Sequence, residues 1–225
     1  MPRSEYQRAL EDLQSDVVSM GEVALLQVES ALELLQTPDP AKAESVIDGD
    51  QTVNEWYLDI EADCIELFAL QQPVATDLRV IASSYKITTD LERIGDLATN
   101  LAGYAVDADR SMGPEIDLYG IGSESYDLVE DAIAAYEAGD TAACRELSER
   151  DDRIDTLCHR ASQQIVRDLI EREADRGDPW EAERLMDDVS SLLLSIRDLE
   201  RIADHGVNIA ARTLYLVEGE TELIY

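Results

Sequence analysis

The sequence predicts an all-α protein built from two tandem antiparallel three-helix bundles. Three observations support this fold class: a long segment that occurs twice, apolar residues spaced three and four apart through most of the chain, and short turns with proline or glycine. The segment DLERIGDLATN at 90–100 returns as DLERIADHGVN at 198–208, at an offset of 108 residues. Each copy belongs to a unit of about 100 residues, which is large enough to bury a core, so we interpret the repeat as a tandem duplication.

The first three helices follow from periodicity and turn chemistry. Apolar residues at helical spacing predict a helix over residues 4–36, which the segment TPDP at 37–40 ends. Asp39 is a natural N-cap and the proline after it suits a first helical turn, so a second helix is predicted to run to about Leu70. Gln72-Pro73 then opens a third helix, which contains the first copy of the repeated segment.

The periodicity is lost between the two repeats, where the sequence VDADRSMGPEIDLYGIG at 106–122 is rich in glycine. This loss predicts a connection between two structural units. We therefore expect a first three-helix bundle at 1–107, a connection at 108–122 and a second three-helix bundle at 123–225.

The second bundle is expected to repeat the plan of the first. A helix is predicted from about Ser123, ended by Gly139, and Asp140 is the expected N-cap of the next helix. Asp178, followed by proline, is expected to cap the last helix, which includes the second copy of the repeated segment and runs to about Val217.

The chain is strongly acidic, with 50 Asp and Glu against 18 Lys and Arg and a net charge of −32 at pH 7. This balance excludes a general nucleic-acid binder and argues against attraction to anionic lipid. Such acidity with only two lysines resembles proteins of salt-loving organisms, in which concentrated salt screens the self-repulsion.

The cysteines and the hydropathy pattern predict a cytoplasmic protein. The three cysteines are widely spaced and form no CxxC motif, which fits a reducing compartment. The N-terminus lacks the apolar stretch of a signal peptide, and no apolar run reaches the length of a membrane-spanning helix.

Each copy of the repeated segment places three oxygen-bearing side chains on the helix face opposite its apolar stripe, so that steps of four residues form a column. The middle helices carry matching pairs at an offset of 101 residues. Like charges four residues apart destabilise a helix, and a bound cation would explain why both copies retain them. The candidate metal ligands are Asp50, Asn54, Glu92, Asp96 and Asn100 in the first bundle and Asp151, Asp155, Glu200, Asp204 and Asn208 in the second.

A solvated acidic face is the alternative interpretation of these columns, because acidic pairs at this spacing arise often by chance in so acidic a chain. Since the columns face away from the apolar stripes, any metal is expected near the surface and not inside a bundle core.

The segments QPVATDLRVIASSYKITTDLERIGDLATN at 72–100 and DLERIADHGVNIA at 198–210 resemble the PhoU family, accessory and regulatory proteins of phosphate-specific transport. The resemblance implies two tandem three-helix bundles whose acidic segments bind iron or zinc, including multinuclear clusters. It also implies a negative regulator of phosphate uptake and phosphate-starvation signalling, which acts on the ATPase subunit of the phosphate ABC transporter and, in bacteria, with a sensor kinase. A homodimer is expected.

The resemblance carries the ligand role to Glu92, Asp96 and Asp50 in the first bundle and to Glu200, Asp204, Asp151 and Asp155 in the second. Asn54 stands where Asp155 stands in the other repeat. The first site therefore has one charge less and is expected to bind metal more weakly.

Two other classes of protein compete with this interpretation. One is a helical scaffold without a functional metal. The other is a ferritin-like di-iron protein, which needs Glu-x-x-His motifs, whereas neither His159 nor His205 lies three residues after a glutamate. We expect His205 at a surface or edge. No P-loop, glycine-rich nucleotide fingerprint or nucleophile elbow occurs, so no enzymatic activity is expected.

Overall fold

The computed structural model describes residues 3–70, 74–107, 116–173 and 179–223, with the backbone alone at 70, 107, 172–173 and 179–182. It contains six long helices: α1 (Arg3–Gln36), α2 (Pro40–Leu70), α3 (Ala75–Asp107), α4 (Leu118–Ala138), α5 (Thr141–Glu173) and α6 (Pro179–Glu218). The described ranges contain no strand, which confirms the predicted all-α class. The turn residues predicted at Gln72-Pro73 and Asp178 lie outside the described residues.

The described turn residues end and begin helices as predicted. Asp39 Oδ1 accepts a hydrogen bond from the backbone N–H of Ala41 at 2.9 Å, and Asp140 Oδ1 accepts one from Ala142 at 3.0 Å. Each carboxylate satisfies an N–H group that the first helical turn leaves without an intrahelical partner. Gly139 ends α4 in the left-handed conformation, with φ at 65°, which a residue without Cβ adopts at little cost.

α4 begins at Leu118, which corrects the predicted start at Ser123. Asp117 caps this extra turn, because its Oδ1 accepts a hydrogen bond from the N–H of Gly120 at 2.8 Å. Gly122 is buried against α1, where a side chain would collide with its neighbours. Gly122, one of the glycines that suggested a loop, is thus explained by helix packing, which outweighs its low helix propensity.

The two repeats pack against each other in an approximately two-fold manner. A Cβ placed on Gly21 in α1 would lie 2.8 Å from Ile133 Cδ1 in α4, and one placed on Gly122 would collide with Leu32. Gly21 is equivalent to Gly122, and Leu32 to Ile133, at an offset of 101 residues, so each contact is the counterpart of the other. α1 and α4 therefore lie antiparallel and close together, because neither glycine presents a side chain at the contact.

α3 and α6 form the centre of the molecule. Each packs against the other two helices of its own repeat and against its counterpart in the other repeat. The apolar stripes of the repeated segments are fully buried there, with Leu91, Ile94, Leu199 and Ile202 all at 0 % exposure. Apolar side chains of both repeats belong to one continuous core, so the duplicated units share their burial.

Candidate metal sites

The burial of these stripes leaves the acidic residues of the columns on the less buried faces of α3 and α6. Glu92 and Asp96 of α3 are half-buried, and so is Glu200 of α6, while Asp204 is exposed. On each side the middle helix of the repeat, α2 or α5, packs against the column. The acidic pairs of the middle helices therefore face the columns from a neighbouring helix.

The first acidic cluster consists of Asp50 and Asn54 on α2 and Glu92 and Asp96 on α3. Asn54 Nδ2 donates a hydrogen bond to Asp50 Oδ2 at 2.7 Å. Arg93 forms ion pairs with both acids of the column, at 3.5 Å to Glu92 and 3.2 Å to Asp96. An amide donor and a guanidinium thus offset part of the negative charge of this cluster.

The remaining charge of the first cluster still perturbs its carboxylates. Burial raises the pKa of Asp50, and the charge of Asp96 raises it further, while the hydrogen bond from Asn54 lowers it. Burial followed by the charge of Asp96 also raises the pKa of Glu92, against a lowering effect of Arg93. The α2 and α3 carboxylates therefore share one electrostatic environment.

The second acidic cluster consists of Asp151 and Asp155 on α5 and Glu200 and Asp204 on α6. One carboxylate oxygen from each of Asp151, Asp155 and Asp204 lies within 4.8 Å of the others. Burial, and then the charges of Asp155 and Asp204, raise the pKa of Asp151 to about 7. Burial and the charge of Asp155 also raise the pKa of Glu200. Crowded carboxylates of this kind repel one another unless a cation or protons lie between them.

One carboxylate oxygen of each cluster has no hydrogen-bond partner although it is buried: Asp50 Oδ1 and Asp151 Oδ1, at equivalent positions 101 residues apart. A buried charged oxygen without a donor is costly, and coordination to a cation removes that cost. Carboxylate oxygens are suitable ligands for iron, zinc and harder cations. Among the described residues, three carboxylate oxygens close enough to hold one ion occur in the second cluster, so the residues there fit a metal. In the first cluster the fit rests on the buried, unpartnered oxygen of Asp50.

The asparagines at the ends of the columns are placed differently from the acids. Asn100 is exposed. Asn208 Nδ2 donates a hydrogen bond at 3.3 Å to Asp90 on α3, so its amide faces the other repeat. His205 contacts the same carboxylate, because its Nδ1 atom lies 2.9 Å from Asp90 Oδ1. His205 is half-buried between α3 and α6.

Asp90 and Asp198, the first residues of the repeated segments, have a structural role that the sequence interpretation missed. Asp198 is completely buried, and its carboxylate accepts hydrogen bonds from Arg197 and, at 3.3 Å, from Tyr104 Oη on α3. Each aspartate therefore links α3 to α6 from its own repeat. The signal was present in the sequence, because these residues recur at the same offset as the ligand candidates.

Comparison with known proteins agrees with this architecture. Residues 17–105 and 118–213 match the model of the PhoU domain, once in each repeat. The chain belongs to the PhoU family. This membership confirms the resemblance inferred from the repeated segments.

Relatives of the PhoU family cover nearly the whole chain. A protein of Aquifex aeolicus named phosphate-specific transport system accessory protein PhoU homolog is 34% identical over 215 residues, which are 95% of this chain and 93% of the relative. The crystal structure of PhoU from Pseudomonas aeruginosa has a TM-score of 0.82 at 30% identity and covers 96% of this chain and 100% of its own. The phosphate transport system regulatory protein PhoU from Streptococcus pneumoniae has a TM-score of 0.84 at 26% identity, covering 96% and 98%.

These similarities confirm the predicted PhoU-like helical architecture. Within the described residues, none of the helices combines the length and the hydropathy required to cross a membrane.

Proposed function

We propose that this chain is a metal-binding negative regulator of phosphate uptake and of phosphate-starvation signalling, acting in the cytoplasm on the phosphate ABC transporter. Family membership and the names of its relatives, accessory proteins of phosphate-specific transport systems, support the transport role. The partners proposed are the transporter's ATPase subunit and a sensor kinase or another regulator.

The observation that supports a metal most directly is the second acidic cluster. Asp151, Asp155 and Asp204 bring three carboxylate oxygens within 4.8 Å of one another, and Glu200 raises the local charge further. Iron or zinc is proposed, since both accept carboxylate oxygens, and a bridging carboxylate would allow more than one ion.

A bound metal would stabilise the packing of helices that otherwise repel each other. Asp151 and Asp155 lie on α5, whereas Glu200 and Asp204 lie on α6. A cation between them replaces like-charge repulsion by shared coordination, which favours one relative position of the two helices. A regulator with metal-dependent helix positions would present a defined surface to its transporter.

Self-association into a homodimer is supported by the outer faces of α2 and α5. Residues 55–69 of α2 contain five acidic residues and no basic one, whereas the equivalent residues 156–170 of α5 contain two arginines and one aspartate. Both segments expose apolar side chains, including Ile65 at 62% and Val166 at 46%. We propose that α2 of one copy contacts α5 of another, a contact that sedimentation analysis measures.

Two measurements test the proposed function. Deletion of the gene is expected to raise phosphate uptake and starvation-response expression in phosphate-replete cells, and unchanged values would contradict the regulatory role. Elemental analysis of protein purified without chelators is expected to detect iron or zinc. A metal-free protein that restores regulation would instead favour a helical scaffold without a functional metal.

A further inference from the structure

Gln27 is an unusual residue in the core of the first repeat. It lies on the buried stripe of α1, beside Ala24, Val28 and Ala31, each at 0% exposure, and is itself 7% exposed. Neither its Oε1 nor its Nε2 atom has a hydrogen-bond partner. A buried amide without partners is destabilising, so its presence calls for a compensating interaction.

Two glycines make room for the amide of Gln27. A Cβ placed on Gly49 would lie 3.3 Å from Nε2, and a Cβ placed on Gly95 would lie 3.0 Å from Oε1. The same point at Gly95 is 3.5 Å from Asp50 Oδ1, the buried oxygen without a donor in the first acidic cluster. The amide oxygen of Gln27 and the inner oxygen of Asp50 therefore face a common buried space beneath that cluster.

The second repeat has no equivalent of Gln27 and its two glycines. The residues that correspond to Gln27, Gly49 and Gly95 in the second repeat are Leu128, Arg150 and Ala203, at offsets of 101, 101 and 108. Leu128 is completely buried and packs against Gly206, as an ordinary core residue does. The first repeat thus replaces an apolar contact by an amide and two glycines at the point where the acidic cluster meets the core.

We propose that Gln27 is a ligand of a cation in the first acidic cluster, where its Oε1 supplies a neutral oxygen from α1 beside the carboxylates of Asp50, Glu92 and Asp96. The inference rests on the proposed function only in that it takes the acidic clusters as cation sites. Amide and carboxylate oxygens together form the donor set that Ca²⁺ prefers, since it takes six to eight oxygen ligands in flexible geometry.

The first cluster also carries less negative charge than the second. The first cluster has three carboxylates, and Arg93 pairs with two of them. The second has four carboxylates. The first site therefore combines carboxylates with neutral oxygen donors, a set that suits Ca²⁺, whereas the second offers carboxylates alone.

The test is calorimetric titration of Ca²⁺ into metal-free wild type and a Q27L variant, which introduces the residue of the second repeat. We expect Ca²⁺ affinity at one site to fall at least tenfold in Q27L, while Zn²⁺ uptake by the second cluster is unchanged. D96N is the positive control, since it removes a carboxylate of the same site. Unchanged Ca²⁺ affinity in Q27L overturns the inference.

A stability measurement separates a ligand from a packing residue. Leucine removes the unpartnered amide, so metal-free Q27L is expected to melt at the same temperature as wild type or higher, whereas its stabilisation by Ca²⁺ is expected to shrink. Equal Ca²⁺ stabilisation of the two proteins contradicts the ligand role.

A second variant covers the case in which Q27L fails to fold. Q27E keeps an oxygen at the same place and adds a charge, so its Ca²⁺ affinity is expected to equal or exceed that of wild type. A Q27E protein that folds but has lost Ca²⁺ binding overturns the inference. If wild type takes up cations at the second cluster but none at the first, this inference alone fails. If it takes up none at either cluster, the proposed metal function fails as well.

Discussion

The two acidic clusters occupy equivalent places in the two repeats, yet they differ in how their negative charge is balanced. In the first cluster Asn54 donates a hydrogen bond to Asp50, and Arg93 pairs with both carboxylates of α3. In the second cluster Asp155 replaces the asparagine, and burial, followed by the charges of Asp155 and Asp204, raises the pKa of Asp151 to about 7. The duplication has kept the positions of the candidate ligands and changed the charge that they carry.

This difference shows that helix geometry and local charge can vary separately. The spacing of four residues along each helix places the side chains, whereas the amide of Asn54, in place of the carboxylate of Asp155, reduces the repulsion between them. Without metal, the carboxylates of the second cluster repel one another more strongly than those of the first. Substitutions that add or remove charge in either cluster therefore test this difference between the repeats directly.

The largest effect is expected from removal of two second-cluster ligands on different helices. D151N with D204N should lower metal affinity at that site by roughly 1000-fold, because ligand loss exceeds the 10–100-fold cost of losing a supporting contact. Elemental analysis with competition against a chelator measures the loss. A double variant that kept the wild-type metal content would show that the second cluster is not a metal site.

The next effect is expected from removal of both first-cluster carboxylates on α3. Glu92→Ala with Asp96→Ala should lower total metal content by about half, with helicity close to that of wild type, because only one of two sites is lost. Circular dichroism and elemental analysis on one sample measure both quantities. Unchanged stoichiometry would show that the first cluster is not a metal site.

The stability of the metal-free protein is expected to depend on pH through Asp151. Because folding raises this pKa to about 7, the folded state binds the proton more tightly than the unfolded state does, and stability falls as pH rises from about 4 to 7. The loss should be about 2 kcal/mol, since one pKa unit corresponds to about 1.4 kcal/mol and solvent screens a partly exposed group.

Urea unfolding at pH 5 and pH 7.5 measures this dependence, and D151N is the matched control because it cannot titrate. An equal pH dependence in D151N would assign the effect to other groups. In the same pH range metal affinity should rise, because the proton on Asp151 competes with the metal.

Exchanging the single residue that differs between the clusters should have the smallest effect. N54D gives the first cluster the charge of the second, so its affinity for zinc should rise about tenfold while the metal-free protein loses about 0.5–1 kcal/mol of stability. D155N should produce the opposite changes in the second cluster. Changes of the same sign in both variants would refute charge as the cause of the difference.

Sequence reasoning placed most of the fold because its signals are local. The caps at Asp39 and Asp140 and the stop at Gly139 depend on a few neighbouring residues, and each is found as predicted. The start of α4 was misplaced because glycine predicts a turn locally, whereas Gly122 is selected by its contact with another helix.

For the candidate sites, the sequence supplied the residues and the structure supplied their orientation. The acidic columns and their partners on the middle helices were predicted, and the structure brings those on each side into one environment. That Asn208 faces Asp90, and that Gln27 lies beneath Asp50, could not be predicted, because both depend on how separate helices are rotated against each other.

What the sequence alone determined is the duplicated helical plan and the oxygen-bearing side chains at fixed spacing along each helix, because helix periodicity is a property of neighbouring residues. Only the tertiary structure decided that the repeats share one core, that Asp90 and Asp198 join them, and that one cluster has an amide beneath it. Those features arise from contacts between residues far apart in the sequence, such as Asp90 and Asn208 at 118 positions, and the pattern within one helix does not predict them.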